Sequence, residues 1–257
     1  MNSIEVRSQE QLNKLPTEFG EFTVIRIKDC SVTIKKAFGN ARVEAWGNAY
    51  VEARYNTHVE AWGNTHVEAR DNTHVKARDN TRVEAWGNAY VEARYNTHVE
   101  AWGNAHVEAR DNAHVKARDN THVEAWGNAH VEAWGNARVE ARDNAHVEAR
   151  DNTRVEAWDN TRVEARDNTN IIARGNAHVE AWGNTHIGAW NNAYIKAHSS
   201  NNVEAYGNAV IKIISNEVEV INAQDEVTLI YQGCKGKPKQ HGENVHIIYT
   251  QQMPSSL

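Results

Sequence analysis

The chain has 257 residues, a net charge of −6 with histidine counted neutral, and 40% hydrophobic residues, most of them Ala and Val rather than Leu, Phe or Met. That composition excludes a thick core, and the acidic balance argues against non-specific attraction to nucleic acid or anionic membranes. The opening MNSIEVRSQEQLNKLP lacks the basic-then-apolar pattern of a secretory leader, and no run of about 18 apolar residues exists to span a bilayer, so a soluble, cytoplasmic protein is expected.

Residues 1–29 read as a small α/β cap. Ile4 to Arg7 alternates as a short strand, Ser8-Gln9-Glu10-Gln11 has the form of a capping box opening a helix that ends near Pro16, and Phe22 to Ile27 alternates again. A first coil without a cap would present unpaired backbone groups. From Ser31 to Asn40 the chain drifts into register, and Ala37-Phe38-Gly39-Asn40 is the first recognisable repeat ending.

From Ala41 to Asn208 an eight-residue unit, [Ala/Thr]-x-[Val/Ile]-x-Ala-x-x-Asn, recurs without insertion or deletion. Positions 1, 3 and 5 are small and apolar, whereas positions 2, 4 and 6 are mainly His/Arg/Tyr, Glu/Lys and Trp/Arg. This is strand alternation, and positions 7 and 8, usually Gly-Asn or Asp-Asn, are turn residues. The expected fold is all-β, a β-solenoid of strand-turn octads over residues 30–232. Three octads (24 residues) per coil fit the Ala-Val-Ala gradient, because a triangular interior is deepest at mid-side. Grouping every third octad also places Trp62, Trp86, Trp134, Trp158, Trp182 and Tyr206 in one column, interrupted by Arg110. Two octads (16 residues) per coil is the alternative.

Residues 41–80 and 81–120 differ only at Ala41/Thr81, Thr65/Ala105 and Thr73/Ala113, a 40-residue duplication five octads long. Five is a multiple of neither two nor three, so copied side chains land on different faces. After Asn208 larger apolar residues appear, in Val210 to Ile214, Val218 to Ile221 and Val227 to Tyr231, as expected of wider terminal coils. Residues 233–257 read as a basic loop (Gly233 to Lys239), a last strand near Val245 to Tyr249 that could pair with another subunit, and a tail from Gln251 to Leu257.

Stacked coils about 4.8 Å apart turn every position into a ladder. Asn at position 8 is expected to bond to its own copies. The Glu row at position 4 needs cations beside it, which Arg at positions 2 and 6 supplies.

Several constellations bear on chemistry. His at position 2 with Glu two residues later offers metal-ligand types, yet a flat face offers parallel rather than convergent ligands, so no metal and no cofactor is expected. Protonation of these imidazoles predicts acid sensitivity. Trp at position 6 either shields the corner backbone or forms an aromatic stripe for a partner, the tentative binding ladder being the six-residue column named above. Trp, Arg and His together could stack bases, but the Glu rows oppose that. Catalysis needs one pocket with distinct roles, and every candidate here is copied many times, so no enzyme is expected. Cys30 and Cys234 flank the repeat block, too distant in an elongated fold for one disulfide.

The octads THVEAWGN, AHVEARDN and TRVEAWDN, with the opening IEVRSQEQLNKLP, resemble octapeptide-repeat proteins of bacteriophages, prophages and some bacteria. The resemblance implies a β-solenoid and a phage or mobile-element setting, with no catalytic residues to carry over. The expected function is a non-enzymatic interaction module that engages or sequesters a host or phage protein. The alternatives are a structural virion component and a nucleotide or nucleic-acid binder or DNA mimic.

Overall fold

Each octad folds as its alternation dictates. Positions 2 to 5 form a four-residue strand, as in His58–Ala61, His66–Ala69 and His74–Ala77, with Val and Ala buried and the intervening side chains half-buried. Position 7 turns the corner with a positive φ, 61° at Asp71, 62° at Asp79 and 73° at Gly47, a conformation that Gly, Asn and Asp tolerate best. The amide of the next position 1 then donates to the carbonyl of position 6, Thr73 to Arg70 and Ala113 to Arg110, both at 3.2 Å. That bond closes a four-residue turn that reverses the chain.

The computed structural model describes residues 2–199 and 201–251. They are all-β apart from one short helix and form a parallel β-solenoid. No helix among the described residues is long and apolar enough to cross a membrane. Of the tail expected from Gln251 onward, all but Gln251 lies outside the described residues.

The chain divides into two compact units, Met1–Val131 and Glu132–Leu257. In each, alternate octads go to alternate parallel sheets, termed first and second by order of appearance. In the first unit, Val59 pairs with Val75 and Val75 with Val91 in the first sheet, and Val67 pairs with Val83 in the second. In the second unit, Val155 pairs with Ile171 and Val147 with Val163. Every such step is 16 residues, so the coil has two sides and not the three expected from the Trp spacing. The physical reason lies at the corner, where one left-handed residue and one turn hydrogen bond reverse the strand rather than bend it part-way.

The Ala-Val-Ala gradient fits this flat coil as well. Val ladders fill the middle of the gap, and Ala or Thr occupies its narrowing margins, all essentially inaccessible to water. Inward Thr is tolerated because its hydroxyl is satisfied at the corner: Thr73 donates to the Arg70 carbonyl at 2.6 Å, Thr121 to Arg118 at 2.6 Å and Thr153 to Arg150 at 2.6 Å. The Asn ladder also forms, with Asn88 donating to Asn72 at 3.3 Å, and Asn192 to Asn176 and Asn176 to Asn160 likewise at 3.3 Å.

The first unit starts with β1 (Asn2–Val6), α1 (Gln9–Asn13), β2 (Glu18–Lys28), β3 (Ser31–Thr33) and β4 (Gly39–Trp46). The first sheet runs β1, β2, β4, while β3 begins the second sheet. Ser8 caps α1 by accepting from the Gln11 amide at 3.3 Å, and the Gln11 side chain accepts from the Arg7 amide at 2.7 Å. Leu12 is buried beneath the helix, with Ile25, Ile27 and Ile34 among the largest buried side chains. In the second unit the coil lengthens towards its end: Val210 pairs with Thr228, and Thr228 with His246, at steps of 18 residues. Ile211, Ile213, Leu229 and Tyr231 fill this wider interior.

Candidate binding faces

Because parallel in-register stacking repeats each outward position along the sheet, the outer faces consist of ladders. Carboxylates at position 4 are held by cations on their own and adjacent coils. Arg42 bridges Glu44 at 2.6 Å and Glu60 at 2.8 Å, Arg82 reaches Glu100 at 3.2 Å, and Lys196 and His198 converge on Glu180 at 2.5 and 2.7 Å. Such half-exposed pairs each contribute about 0–1 kcal/mol, and their role is to cancel repulsion along the Glu row. Tyr50 donates to Glu68 and Tyr90 to Glu108. Burial and the Glu68 hydrogen bond push the Tyr50 phenol up to about 12. Burial alone would raise the Glu68 carboxyl, but the bonds from Tyr50 and Arg70 outweigh it and hold that group below the ordinary carboxylate value. Glu92 and Glu180 are held low in the same way, by Lys76 and His74 and by Lys196 and His198 respectively, against the effect of burial.

Position 2 builds aromatic stacks. In the first sheet of the first unit, His58, His74, Tyr90, His106 and His122 follow one another at ring-centroid spacings of 4.5, 4.5, 5.0 and 4.8 Å. Burial, and next the neighbouring His74, lower the His58 pKa. In the second unit burial and Arg162 lower that of His178, whose ring stacks on Tyr194 at 4.8 Å.

The six aromatic residues expected in one column do not share one. With two-sided coils, Trp62 follows a first-sheet strand and Trp86 a second-sheet strand of the first unit. In the second unit Trp158 and Tyr206 belong to the first sheet, Trp134 and Trp182 to the second. The apparent 24-residue spacing has a simpler source, since Trp86 is the duplicate of Trp46. Each ring instead stacks on whatever its own column supplies. Trp86 lies against Trp102 at 5.1 Å and under Arg70 at 4.6 Å, Arg142 lies over Trp158 at 4.9 Å, and Trp182 stacks between Arg166 at 5.4 Å and His198 at 4.7 Å. Rings packed face to face along the column offer solvent mainly their edges, and all nine Trp are half-buried.

The departures from the repeat are more informative than the repeat. Between residues 41 and 208 position 4 is Glu or Lys except at Ile172 and Gly188, which pair with each other in the first sheet of the second unit. A Cβ on Gly188 would lie 2.4 Å from the Trp190 ring, so that ring rests on the glycine. Arg174 lies over Trp190 at 5.5 Å, and Tyr206 stacks on it at 5.5 Å. Position 2 is uncharged Asn at Asn170 and Asn202 on either side of His186. The charged rows are thus interrupted by a neutral patch of Ile172, Gly188 and Trp190. Its signal in the sequence is a break in the repeat, NIIARGN and HIGAWNN, which a rule built on regular columns does not weigh.

Protein-family models, curated proteins and solved structures were each compared with the chain, and none matches. Fold and faces therefore define its class directly, a parallel β-solenoid of two-sided, octad-built coils.

Proposed function

We propose that the chain is a non-enzymatic interaction module that engages or sequesters a protein partner through its outer faces, encoded by a phage or mobile element and acting in the bacterial cytoplasm. The observation that carries this reading is the neutral patch of Ile172, Gly188 and Trp190 on an otherwise charge-laddered face. Protein-binding surfaces place apolar and aromatic anchors, with Arg beside them, at centres depleted of charge, and Trp190 with Arg174 fits that pattern. The phage setting rests on the resemblance of the octads to phage and prophage repeat proteins. The proposed anchor thereby moves from the column of Trp62, Trp86, Trp134, Trp158, Trp182 and Tyr206 to Trp190.

The test is retention of proteins from a bacterial host lysate by the immobilised full chain and by two variants. Ile172→Glu with Gly188→Glu restores the repeat's charge row, and Trp62→Ser with Trp158→Ser removes rings outside the patch. The native chain and the Trp→Ser variant should retain a protein that the double Glu variant loses. Equal retention by all three, or by none, discards the patch. Recovery of the chain in purified virions would favour a structural role instead, and salt-dependent retention of an oligonucleotide would favour nucleic-acid binding.

A further inference from the structure

The last strand, His246–Thr250, ends the second sheet of the second unit, pairing on one side with Thr228–Gln232. His246 donates to the Val227 carbonyl at 2.9 Å, and the Thr250 carbonyl accepts from Gly233 at 2.9 Å. Residues 246, 248 and 250 therefore spend their backbone groups on the inner neighbour, and strand alternation turns the N–H and C=O of Ile247 and Tyr249 to the open edge.

The side chains are as uncovered as the backbone. Ile247 and Tyr249 are in register with Leu229 and Tyr231, both buried interior residues, and Tyr249 stacks on Tyr231 at 5.3 Å. Among the described residues they are the interior layer of the last coil: Tyr249 is 54% exposed, as is 46% of Ile248 on the outer face. A cleft of about 1020 Å³ opens beside them, between Gly233–Lys237 and Tyr249–Gln251. Edge strands are ordinarily blunted by Lys, Glu or Pro. HIIYT contains none, whereas β1 carries Glu5.

We propose that this strand pairs antiparallel with the same strand of a second copy, about a two-fold axis through Ile248. The register is fixed by the groups left over. Ile247 and the partner's Tyr249 exchange two backbone hydrogen bonds, and symmetry supplies two more, which accounts for all the edge groups of Ile247 and Tyr249. Ile248 meets its own copy in the non-hydrogen-bonded pair, where side chains come closest. Ile247 packs on the partner's Tyr249, covering the open interior, and His246 faces Thr250, so no carboxylate or ammonium on the strand is buried. Head-to-tail pairing of this strand onto β3 is obstructed at Thr33, where Gln9 of α1 accepts from the Thr33 amide at 2.6 Å and donates to the Thr33 carbonyl at 3.0 Å. The interface is isologous and stops at two copies.

Sedimentation of the full chain tests this. The native chain sediments as a dimer. Ile248→Lys and Ile248→Glu, each placing like charges on the axis, sediment as monomers with unchanged circular dichroism. An equimolar mixture of the two variants dimerises again, because Lys and Glu then face each other across the axis. A native chain that stays monomeric at every concentration, an Ile248→Lys chain that associates like the native one, or a mixture that fails to recover would each overturn the proposal. Higher oligomers lost on mutation of β1 rather than of Ile248 would do so as well.

Discussion

Two strands end second sheets in this molecule, and they meet solvent in opposite ways. At β3 both edge groups of Thr33 are taken by the side-chain amide of Gln9, held there by a helix whose Leu12 is buried and whose first turn is capped by Ser8. At His246–Thr250 no comparable element lies over the edge among the described residues, and the layer that is interior elsewhere is exposed. The difference teaches that stacking octads costs little to extend but leaves an unfinished surface at each end. One end is finished by a side chain that imitates a strand, the other by chemistry suited to receiving one.

Replacing the anchor of the closed end has the largest expected effect. Leu12→Ala should cost about 2–5 kcal/mol, read as lost hydrogen-exchange protection across β1 to β3. Tyr249→Ala, made in the Ile248→Lys background so that association does not intrude, should cost less, about 0.5–1.5 kcal/mol, since only its stack on Tyr231 is lost with a half-exposed ring. Equal losses would erase the contrast between the ends. Gln9→Ala comes next: two bonds to Thr33 disappear, for about 1–3 kcal/mol, and a second open edge is created. Faster exchange of the Thr33 amide together with new assemblies larger than a dimer is the expected result. Gln9→Glu should keep the Thr33 amide slow, because a carboxylate still accepts its proton.

The smallest effect separates the ends from the ladders. The His58 imidazole is held below its ordinary value of 6.5 by burial and by His74. The unfolded chain therefore binds that proton more readily, so this contribution to stability is full above about pH 6.5 and is lost as pH falls through the unfolded value towards the folded one. Glu92, also held low, adds a loss of the same sign at still lower pH. Acidification from about pH 7 to pH 5 should speed amide exchange around His58 while leaving the Thr33 amide slow. His58→Gln should flatten the response, and an unchanged profile in that variant would remove His58 from the account.

Much of this was readable in advance, for physical reasons that differ by residue. The inward Val and Ala and the Asn ladder follow from local alternation and a fixed repeat, which any eight residues display. The number of sides is masked in the sequence because Trp62 and Trp86 fall 24 residues apart through duplication and not through stacking. The corner carries the decisive information: a left-handed position 7 followed by a turn bond to position 1 reverses the chain, and Gly or Asp followed by Asn and then Ala or Thr writes it into most octads. The patch at Ile172 and Gly188 was visible as a broken rule. Gln9 was not, since nothing within the helix says that its amide will meet Thr33, 24 residues later in the chain.

The duplication in the first unit acquires a geometric meaning once the coil is known to have two sides. All three differences between residues 41–80 and 81–120 fall at position 1, inside the coil, so the outward text of the two copies is identical. An odd number of octads separates them, and a strand of one sheet is therefore reprinted on the other: Tyr50 in the second sheet returns as Tyr90 in the first. The first unit is a palimpsest with a half-turn screw, front and back carrying one message at staggered heights. Whatever reads that message on one side is offered it again on the reverse, two seats for a single ligand species. The gain or loss of one octad is enough to exchange which side a motif occupies, without altering a single outward residue.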